Sequence, residues 1–393
     1  MSLVATGAPF GPGALLGVLG GGQLGAMFAA AARRLGYRVA VWDPDPQAPA
    51  HRGAERSIML PFGQAEGAAD FLDGLSAATY EWENVPAVLC ESIERRVPLF
   101  PASGVLRTIQ HRGVQKAFLA RQGFPVAPYR DIRTVGELDG ASAVGFPCLV
   151  KTATAGYDGK GQWRLQRAED VQALRDSWSG RSMEGRAWIV EAVVPFVREL
   201  SVVVVRGQHG DWALYPVADN RHERGILRRT AVPAPLPPAV SAQAQQLSQA
   251  VVRAFDSPGV FCVELFLLPD GQLLVNEVAP RPHNSGHYTL DACPVSQFEQ
   301  QVRVLCGLPL GPVELQQPAA MVNLLGDDVR ALTESPAVRA LVAEPGVHVH
   351  LYGKPQVRPG RKMGHVTVRR SSREAAESCA DALVAALGPV VTL

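Results

Sequence analysis

Two glutamates on neighbouring strand patterns are the residues of this sequence that most clearly indicate chemistry. Apolar runs flank Pro269-Asp270-Gly271, and Asp-Gly between two such runs predicts a β-hairpin. If Asp270 and Gly271 form a two-residue turn, Glu264 lies directly opposite Glu277, where like charges about 5 Å apart repel each other. Two solvated carboxylates are one interpretation, but the other residues on that face are apolar, and a covered pair requires a shared proton or a cation. The hairpin therefore predicts a Mg²⁺–nucleotide site, because carboxylates together with phosphate oxygens are the usual ligands of Mg²⁺.

Length, composition and charge exclude several classes of protein. The 393 residues are 47% hydrophobic and 19% charged, which is typical of a globular protein of two to four domains. A formal net charge of +1 with scattered charges gives no reason to expect nucleic acid. The six cysteines show no C-x-x-C spacing, which favours a reducing cytoplasm. Prolines and glycines interrupt the uncharged stretch before Arg33, so we expect a soluble protein without a membrane segment.

Strand and helix patterns alternate through the first part of the chain and predict an α/β fold. A buried strand over 15–19, a helix over 23–35 and a second strand over 37–42 form a βαβ start to a parallel sheet. Residues 228–238 contain four prolines and are predicted to be a loop or an edge strand. The patterns nearer the C-terminus are strands at 348–351 and 365–368 and a final helix at 373–387.

The first glycine-rich segment, Gly20-Gly21-Gly22-Gln23-Leu24-Gly25, matches G-x-G-x-x-G between a strand and a helix. Asp43 follows at the separation from which such motifs contact a ribose. The pattern makes an NAD-dependent oxidoreductase one candidate. Its physical basis is more general, because glycines allow backbone amides to approach any phosphate at a helix N-terminus. The motif alone leaves NAD, FAD and other phosphate ligands open.

A second glycine-rich segment links two strand patterns instead of a strand and a helix. It starts at Lys151 and continues through Gly156, Tyr157, Asp158, Gly159, Lys160, Gly161 and Gln162. It is not a P-loop, because Lys160 is followed by glycine and not by serine or threonine. Such a turn is a candidate lid over nucleotide phosphates, and an ordinary hairpin loop is the alternative. The strand pattern at 188–194 could bind adenine through its backbone, with a carboxylate for the ribose.

Several motifs along the chain match one family in their order and spacing. They are GVLGGGQLG, DPDPQAPA, TYEWENVP, KTATAGYDGKGQ, EAVVPFVRELS, VELF, NEVAPRPHNSGHYT, SQFEQ and YGKPQVRPGRKMGH. From Gly17 to about His365 the chain resembles the ATP-grasp ligases, and most closely the 5-(carboxyamino)imidazole ribonucleotide synthases of purine biosynthesis. Their reaction converts ATP, bicarbonate and 5-aminoimidazole ribonucleotide, by way of carboxyphosphate, into the carboxyamino product, ADP and phosphate.

The resemblance implies an architecture as well as a reaction. The expected ATP-grasp fold has a parallel-sheet pre-ATP-grasp domain that binds substrate at 1–114 and a lid at 115–187. A catalytic subdomain with the Mg-ATP site is expected at 188–315, and a C-terminal domain that completes the substrate site at 316–393. The resemblance further implies a cytoplasmic homodimer that uses ATP and Mg²⁺ but neither NAD nor biotin, and that binds small molecules rather than nucleic acid or membranes.

The resemblance also implies roles for individual residues. Those implied to contact ATP are Arg112, Lys151, Gly156, Tyr157, Asp158, Gly159, Lys160, Gly161, Gln162, Glu191, Ala192, Val193, Val194, Glu199, His222, Asn276 and Glu277. Those implied to bind the ribonucleotide substrate are Gly22, Gln23, Leu24, Glu81, Asn84, Tyr157, Asp158, Lys354, Arg361 and Lys362. Those implied in catalysis are Arg281, His283, Asn284 and Lys354. Glu264 and Glu277 are the implied ligands of one or two Mg²⁺ ions.

Some details of this interpretation stay open. His111 stands before Arg112 where the family pattern has an acidic residue. His283 is either the proton acceptor for the substrate amine or a structural hydrogen-bonding group. Lys354, Arg361 and Lys362 are expected to meet the first glycine loop at one substrate phosphate, since arginine and lysine suit phosphate oxygens.

Three other functions remain as alternatives. The nearest is a formate-dependent ligase of the same superfamily that acts on glycinamide ribonucleotide. The second is an oxidoreductase that uses the first glycine loop. The third is a non-catalytic nucleotide-binding regulator, which the presence of Lys151, Glu264 and Glu277 disfavours.

Overall fold

The computed structural model describes residues 9–154, 161–178 and 187–391. The chain divides into two compact units. The first contains the described residues of 1–106, 200–263 and 279–393, and the second contains those of 107–199 and 264–278. Within the described residues, no helix combines the length and the apolar character that crossing a membrane requires.

The strands and helices are numbered in chain order. The strands are β1 (Leu15–Leu19), β2 (Arg38–Trp42), β3 (Arg56–Ile58), β4 (Leu75–Tyr80), β5 (Tyr129–Ile132), β6 (Cys148–Thr152), β7 (Gln162–Leu165), β8 (Trp188–Ala192), β9 (Arg198–Arg206), β10 (Trp212–Leu214), β11 (Ala218–Glu223), β12 (Ile226–Val232), β13 (Gly259–Leu267), β14 (Leu273–Ala279), β15 (Ala319–Leu325), β16 (Val347–Leu351) and β17 (Lys362–Arg369). The helices are α1 (Gln23–Arg34), α2 (Ala65–Leu72), α3 (Ala87–Glu94), α4 (Ser103–Ile109), α5 (Arg112–Arg121), α6 (Ala141–Val144), α7 (Glu169–Trp178), α8 (Pro238–Ala254), α9 (Thr289–Ala292), α10 (Gln297–Cys306), α11 (Asp328–Glu334), α12 (Pro336–Val342) and α13 (Arg373–Leu387). Short 3-10 helices lie at Pro49–Gly53, Val135–Gly140 and Asn284–Gly286.

The first unit begins with the parallel sheet that the sequence predicts. Its strand order is β3-β2-β1-β4, and β1 pairs in parallel with both β2 and β4. All five residues of β1 are buried, which explains its continuous apolar run, since a strand covered on both faces needs no polar alternation. Helix α1 follows directly and packs Phe28 and Ala32 into the same core. The carboxyl end of β1 thereby meets the N-terminus of α1.

A larger sheet has the strand order β14-β13-β9-β11-β12-β15-β17-β16, with β10 beside β9. Strand β12 corrects the sequence analysis, because it lies between β11 and β15 and is neither a loop nor an edge. The four prolines begin only at Pro233, after the last residue of β12. Arg228 is only 1% exposed, and it is accommodated because its guanidinium pairs with Asp328 at 2.5 Å and donates to the Asn323 carbonyl at 2.9 Å.

The second unit contains an antiparallel sheet in the order β5-β8-β6-β7. One face packs on an apolar cluster in which the rings of Trp178 and Trp188 stack 4.7 Å apart. In the β6–β8 pairing, Leu149 lies opposite Glu191. Lys151 is two residues further along β6, so its side chain is on the same face as that of Glu191. Strands β13 and β14 run from the first unit into the second, which contains their connecting turn.

Candidate functional site

The turn between β13 and β14 differs from the predicted one. The Leu268 N–H donates to the Gln272 carbonyl at 2.9 Å, and the Gly271 N–H donates to the Leu268 carbonyl at 3.0 Å. Three residues therefore connect the strands instead of two. Gly271 has a φ of +86°, the left-handed conformation that follows a type I turn and forms a G1 bulge. The extra residue shifts the register of the hairpin by one position.

The shifted register changes which residue faces Glu264. The Asn276 amide lies 3.4 Å from the Glu264 carboxylate, so the expected direct pairing of Glu264 with Glu277 is wrong, and so is the expected opposite orientation of Asn276. Arg112 connects the two acidic groups electrostatically. Its guanidinium donates to Glu277 at 2.7 Å. Burial opposes its charge, but Glu277, Glu191 and Glu264 together raise the pKa of Arg112.

The side chains around Glu264 and Glu277 have the ligand chemistry of a Mg²⁺ site. Glu264, Glu277 and the Asn276 side chain provide carboxylate and amide oxygens, the hard ligands that Mg²⁺ prefers. The charge of Arg112 is balanced by both carboxylates, through direct contact with Glu277 and at longer range with Glu264. We therefore regard this hairpin as the candidate cation site of the second unit.

Two lysines contact the buried carboxylate of Glu191. The ammonium of Lys151 contacts one carboxylate oxygen of Glu191, and that of Lys116 lies 3.3 Å from the other. Burial alone would raise the pKa of Glu191, but Lys151 and Lys116 lower it to about 2. The sequence analysis missed Lys116. The signal was available, because Lys116 stands four residues after Arg112 on α5 and thus on the same face of the helix.

The depressed pKa of Glu191 predicts a pH dependence of stability. Its carboxylate is fully stabilising above the unfolded value near 4.3, and the contribution is lost as the pH falls towards about 2. The contribution is on the order of 3 kcal/mol, from the difference between the ordinary glutamate pKa of 4.5 and about 2. We expect the difference in unfolding free energy between wild type and Glu191→Gln to shrink over that range, as measured by urea unfolding at several pH values. A difference that is constant with pH would contradict this expectation.

The predicted adenine segment after Glu191 retains one candidate backbone donor. The Ala192 N–H donates to the Pro128 carbonyl at 2.9 Å, and the Val193 N–H donates to the Pro147 carbonyl at 3.0 Å. In the described part of the chain, Val194 is therefore the hinge residue whose amide is left for a base. The other predicted ATP residues lie on strands: Glu199 at the start of β9 in the second unit, and His222 on β11 in the first.

Most of the predicted lid lies outside the described residues. This applies to Gly156, Tyr157, Asp158, Gly159 and Lys160. The described end of the segment is ordered by β6. Gly161 has a φ of +69°, and its carbonyl accepts from the Thr152 N–H at 2.9 Å. Gln162 pairs with Lys151 at the start of β7.

The first glycine loop binds a carboxylate of the protein itself. Glu81, which directly follows β4, accepts from the Gly22 N–H at 2.5 Å and from the Gly25 N–H at 2.6 Å. A Cβ at Gly20 would lie 2.7 Å from the Glu81 Cγ, and one at Gly22 would lie 2.6 Å from a Glu81 oxygen. The glycines are therefore needed because the Glu81 side chain approaches the backbone closely. Asp43 accepts from the Gly21 N–H at 2.6 Å, so it holds the loop and is not free to bind a ribose.

This arrangement limits the expected phosphate site at α1 to the backbone amides that Glu81 does not bind. The helix N-terminus carries partial positive charge, and Glu81 already compensates it. Gln23 and Leu24 are the first two residues of α1. Their backbone N–H groups have no acceptor in the described chain. Burial raises the pKa of Glu81, whereas the amides of Gly25 and Gly22 and the charge of Arg281 lower it. Asn84 lies three residues further along the same segment.

Arg281 lies in the same electrostatic environment as Glu81. Its guanidinium pairs with Glu83 at 2.6 Å and donates to the Pro282 carbonyl at 2.9 Å. Burial opposes the charge of Arg281, but Glu83 and Glu81 raise its pKa. Arg281 is therefore a fixed cation next to the carboxylate that caps α1.

The predicted cation cluster, formed by Lys354, Arg361 and Lys362, lies on a turn that is held by its own hydrogen bonds. Lys354 donates to the Lys362 carbonyl at 2.9 Å, and Arg361 donates to the Gln356 carbonyl at 2.8 Å. Arg52, which the sequence analysis missed, donates to the Gly353 carbonyl at 2.8 Å. Arg52 belongs to Pro49–Gly53, and the Ala50 N–H of that segment donates to the Gly21 carbonyl at 2.9 Å. The first glycine loop and the C-terminal turn are thus joined through one short segment.

His283 is held by α10, and the neighbouring Asn284 is buried. The side chain of Gln297 accepts from the His283 N–H and donates to the His283 carbonyl, each at 2.8 Å. Both polar side-chain atoms of Asn284 are buried and have no partner among the described residues, although Asn284 is only 7% exposed. Buried amides are almost always hydrogen-bonded, so Asn284 is poised to bind a polar ligand. The role of Gln297 was missed, since nothing in SQFEQ distinguishes it from a surface glutamine.

A second group of potential metal ligands does not form a metal site. Ligand atoms of Asp291, His350 and His365 lie within 4.8 Å of one another. However, the rings of His350 and His365 are stacked 4.5 Å apart with only 13° between their planes. A metal lies in the plane of each imidazole that binds it, and two nearly parallel planes share no nearby position. The side chains are instead hydrogen-bonded, His350 to Asp291 at 2.9 Å and His365 to Tyr352 at 2.8 Å.

Sequence models of three domain families match consecutive parts of the chain. Residues 14–110 match the ribonucleotide synthetase preATP-grasp domain, residues 117–298 the ATP-grasp domain, and residues 319–378 the phosphoribosylaminoimidazole carboxylase C-terminal domain. The chain is 38% identical over 364 residues to the N5-carboxyaminoimidazole ribonucleotide synthase of Bacillus subtilis, covering 92% of this chain and 93% of that protein. It is also 38% identical over 357 residues to the synthase of the same name from Brucella melitensis, covering 91% and 96%.

Solved structures show the same similarity. One is the ADP complex of an N5-carboxyaminoimidazole ribonucleotide synthetase, with a TM-score of 0.89 and 36% identity over 96% of this chain and 97% of that one. Another is the synthase from Aspergillus clavatus in complex with ADP and 5-aminoimidazole ribonucleotide, with a TM-score of 0.86 and 32% identity over 95% and 98% of the two chains.

Proposed function

Because the chain belongs to the N5-carboxyaminoimidazole ribonucleotide synthase family of ATP-grasp ligases, we propose that it carboxylates 5-aminoimidazole ribonucleotide with bicarbonate and ATP. Members of this family perform the ATP-dependent carboxylation step of purine biosynthesis. The reaction proposed for this chain forms a C–N bond by way of carboxyphosphate and releases ADP and phosphate. The observation that carries the proposal is the contact of Lys151 and Lys116 with the buried Glu191, in the same unit as the Glu264 and Glu277 carboxylates.

The second unit provides the proposed ATP site. Lys151 is fixed on β6 by Glu191, and a fixed ammonium can neutralise phosphate charge without reorganising during the reaction. Val194 provides a backbone donor for the base, and Glu199 a carboxylate for the ribose. Glu264 and Glu277 would hold Mg²⁺, which when bound neutralises the charge of the nucleotide phosphates. Gly161 and Gln162 delimit the segment proposed to cover the phosphates.

The first unit provides the proposed site for bicarbonate and the ribonucleotide. Arg281 supplies a partly buried positive charge for the carboxyphosphate oxygens, and Asn284 supplies a buried amide without a protein partner among the described residues. Glu81 and Asn84 are proposed to contact the aminoimidazole or its ribose. The substrate phosphate is assigned to Lys354, Arg361 and Lys362, together with the Gln23 and Leu24 amides. Support comes from the bridge that Arg52 makes between the C-terminal turn and the first glycine loop.

One assay tests the proposed function as a whole. Release of ADP is measured with ATP, Mg²⁺ and bicarbonate, with and without 5-aminoimidazole ribonucleotide, and the carboxyamino product is detected directly. We expect ADP release to increase with the ribonucleotide and to match product formation. Product formation with glycinamide ribonucleotide and formate, or binding of NADH, would contradict the proposal.

The shared phosphate site predicts a selective effect of Arg361. Arg361→Ala removes a charge-assisted contact worth about 1.5–3 kcal/mol. We therefore expect the KM for the ribonucleotide to rise about tenfold to a hundredfold, while the KM for ATP stays the same. Arg358→Ala is the matched control, because Arg358 is an exposed arginine on the same turn. An unchanged ribonucleotide KM in Arg361→Ala, or a weaker binding of ATP, would show that the phosphate site is elsewhere.

The remaining assignments of the sequence analysis are part of the same proposal. We propose the four-part division at 1–114, 115–187, 188–315 and 316–393, a cytoplasmic location, and a homodimer as the oligomeric state. The ranges matched by the three domain families support the first of these. Size-exclusion chromatography with light scattering measures the last.

A further inference from the structure

A chain of buried polar side chains runs from His283 into the interior of the first unit. The Nδ1 atom of His283 lies 2.8 Å from the Ser285 hydroxyl, which lies 2.8 Å from the Ser201 hydroxyl. The Asn220 side-chain amide donates to Ser201 at 2.8 Å, and the Thr230 hydroxyl donates to the Asn220 carbonyl oxygen at 2.9 Å. The four residues behind His283 are at most 9% exposed. Solvent therefore does not compete for these bonds, and their direction is determined within the protein.

The backbone fixes the direction of the first bond. The Ser285 N–H also points to Nδ1 of His283, at 3.3 Å. A backbone amide can only donate, so Nδ1 must act as the acceptor and carries no proton. The Ser285 hydroxyl, at 2.8 Å from the same nitrogen, must then donate to it as well. This assignment of the proton does not depend on how any side-chain amide is oriented.

The same direction continues through the other three residues. Since the Ser285 proton is directed to His283, the Ser285 oxygen accepts from Ser201. The Ser201 oxygen in turn accepts from the Asn220 NH₂ group, and the Asn220 carbonyl accepts from Thr230. Each donor is used once and all point towards His283. A reversed chain would place a proton on Nδ1, directly facing the Ser285 N–H.

We propose that the chain from Thr230 to Ser285 positions His283 as a neutral imidazole with its proton on Nε2. This inference rests on the proposed function, in which His283 lies on the bicarbonate side of the reaction. In this tautomer Nε2 donates a hydrogen bond, so His283 presents a donor to a carboxylate or phosphate oxygen of the reacting group. His283 is then not the proton acceptor for the substrate amine. Ser285, Ser201 and Asn220 are positioning residues, because they act through His283.

The tautomer is measured directly by NMR. Long-range ¹H–¹⁵N correlation spectra of the full-length protein labelled with ¹⁵N-histidine distinguish the two neutral tautomers and the imidazolium. The His283 signals are assigned by their loss in His283→Gln. We expect wild type at neutral pH to show the Nε2–H tautomer. The Nδ1–H tautomer or an imidazolium would overturn the inference, and this result requires no variant in the network to fold.

Variants of the network test its effect on catalysis. Ser285→Ala removes the hydroxyl donor at 2.8 Å and leaves Nδ1 of His283 only the longer contact of the backbone N–H at 3.3 Å. We therefore expect a mixed His283 tautomer and a loss of kcat/KM for product formation of about threefold to tenfold, with the KM for ATP unchanged. Ser248→Ala is the matched control, because Ser248 is an equally buried serine on α8 whose hydroxyl has no partner among the described residues. We expect it to leave both the tautomer and the kinetics unchanged.

The outcomes separate this inference from the proposed function. A wild-type tautomer and rate in Ser285→Ala, or an equal loss in Ser248→Ala, would show that the network does not position His283. If wild type forms no carboxyamino product, the proposed function is wrong. The NMR spectrum still decides the tautomer in that case, since it is recorded without turnover.

Discussion

Replacement of Glu264 or Glu277 by glutamine is expected to lower ADP release by at least about a hundredfold, the usual cost of removing a preorganised electrostatic group from a reaction centre. Glutamine preserves the shape of the side chain and removes the charge that a divalent cation requires. In Glu277→Gln the effect has a second component, because Arg112 loses its 2.7 Å partner. Steady-state ADP release at saturating ATP, bicarbonate and ribonucleotide measures the loss, and circular dichroism tests whether the fold is retained.

The hairpin provides its own control for this experiment. Asp270 lies in the turn between the same strands and is exposed, and its carboxylate accepts from the Gln272 N–H at 3.0 Å. Asp270→Asn makes the same carboxylate-to-amide change but keeps an oxygen for this bond. We expect near wild-type activity for Asp270→Asn. Near wild-type activity in Glu264→Gln would contradict the assignment of the cation site.

Lys151→Met is expected to weaken ATP binding about tenfold to a hundredfold, which corresponds to the loss of one charge-assisted contact of about 1.5–3 kcal/mol. Methionine retains most of the aliphatic stem, so the change is mainly the loss of the ammonium. After the substitution, Lys116 is the lysine that still contacts Glu191. The negative charge of this buried carboxylate is then balanced less completely. Equilibrium titration with a fluorescent ATP analogue measures the affinity.

Lys116→Met separates nucleotide binding from stability. Lys116 and Lys151 contact opposite oxygens of Glu191, so each variant removes one of its two lysine partners. We expect both to lower the unfolding free energy, whereas only Lys151→Met lowers ATP affinity substantially. An equal loss of affinity in the two variants would mean that Lys151 acts through Glu191 and does not contact the phosphates.

Local patterns were sufficient to predict much of the fold. The first strand was predicted with the bounds that the structure has, because a short continuous apolar run is typical of a strand buried on both faces. The first helix was predicted to within one residue of its end, because an amphipathic helix repeats its apolar residues about every 3.6 positions. The central strand β12 was not predicted, since the prolines that follow Val232 dominated the interpretation of that segment. Its buried Arg228 is satisfied by partners that are distant in sequence, and no local pattern indicates such partners.

The site was predictable where function depends on residue type and was not where it depends on register. The role of Glu264 and Glu277 as acidic partners of a cation stays a prediction from residue type, whereas their direct opposition was wrong because the turn has a third residue. Whether Asp-Gly forms a two-residue turn or a turn with a bulge depends on packing of the strands and not on the two residues alone. The environment of His283 could not be predicted from the sequence either, because Ser201, Asn220 and Thr230 lie on separate strands that meet only in the fold.

The carboxylate at the N-terminus of α1 has a consequence for interpreting glycine-rich motifs in general. The same six-residue pattern can encode a helix end whose amides are all open to a ligand's phosphate, or one at which a side chain of the protein already binds some of these amides. The glycines do not distinguish the two cases, since both require the close approach of an anion to the backbone. Here the distinguishing residue is Glu81, which lies 59 positions after Gly22. Pairing the motif with an acidic residue directly after the neighbouring strand would therefore separate self-capped loops from dinucleotide sites by their amino-acid sequences.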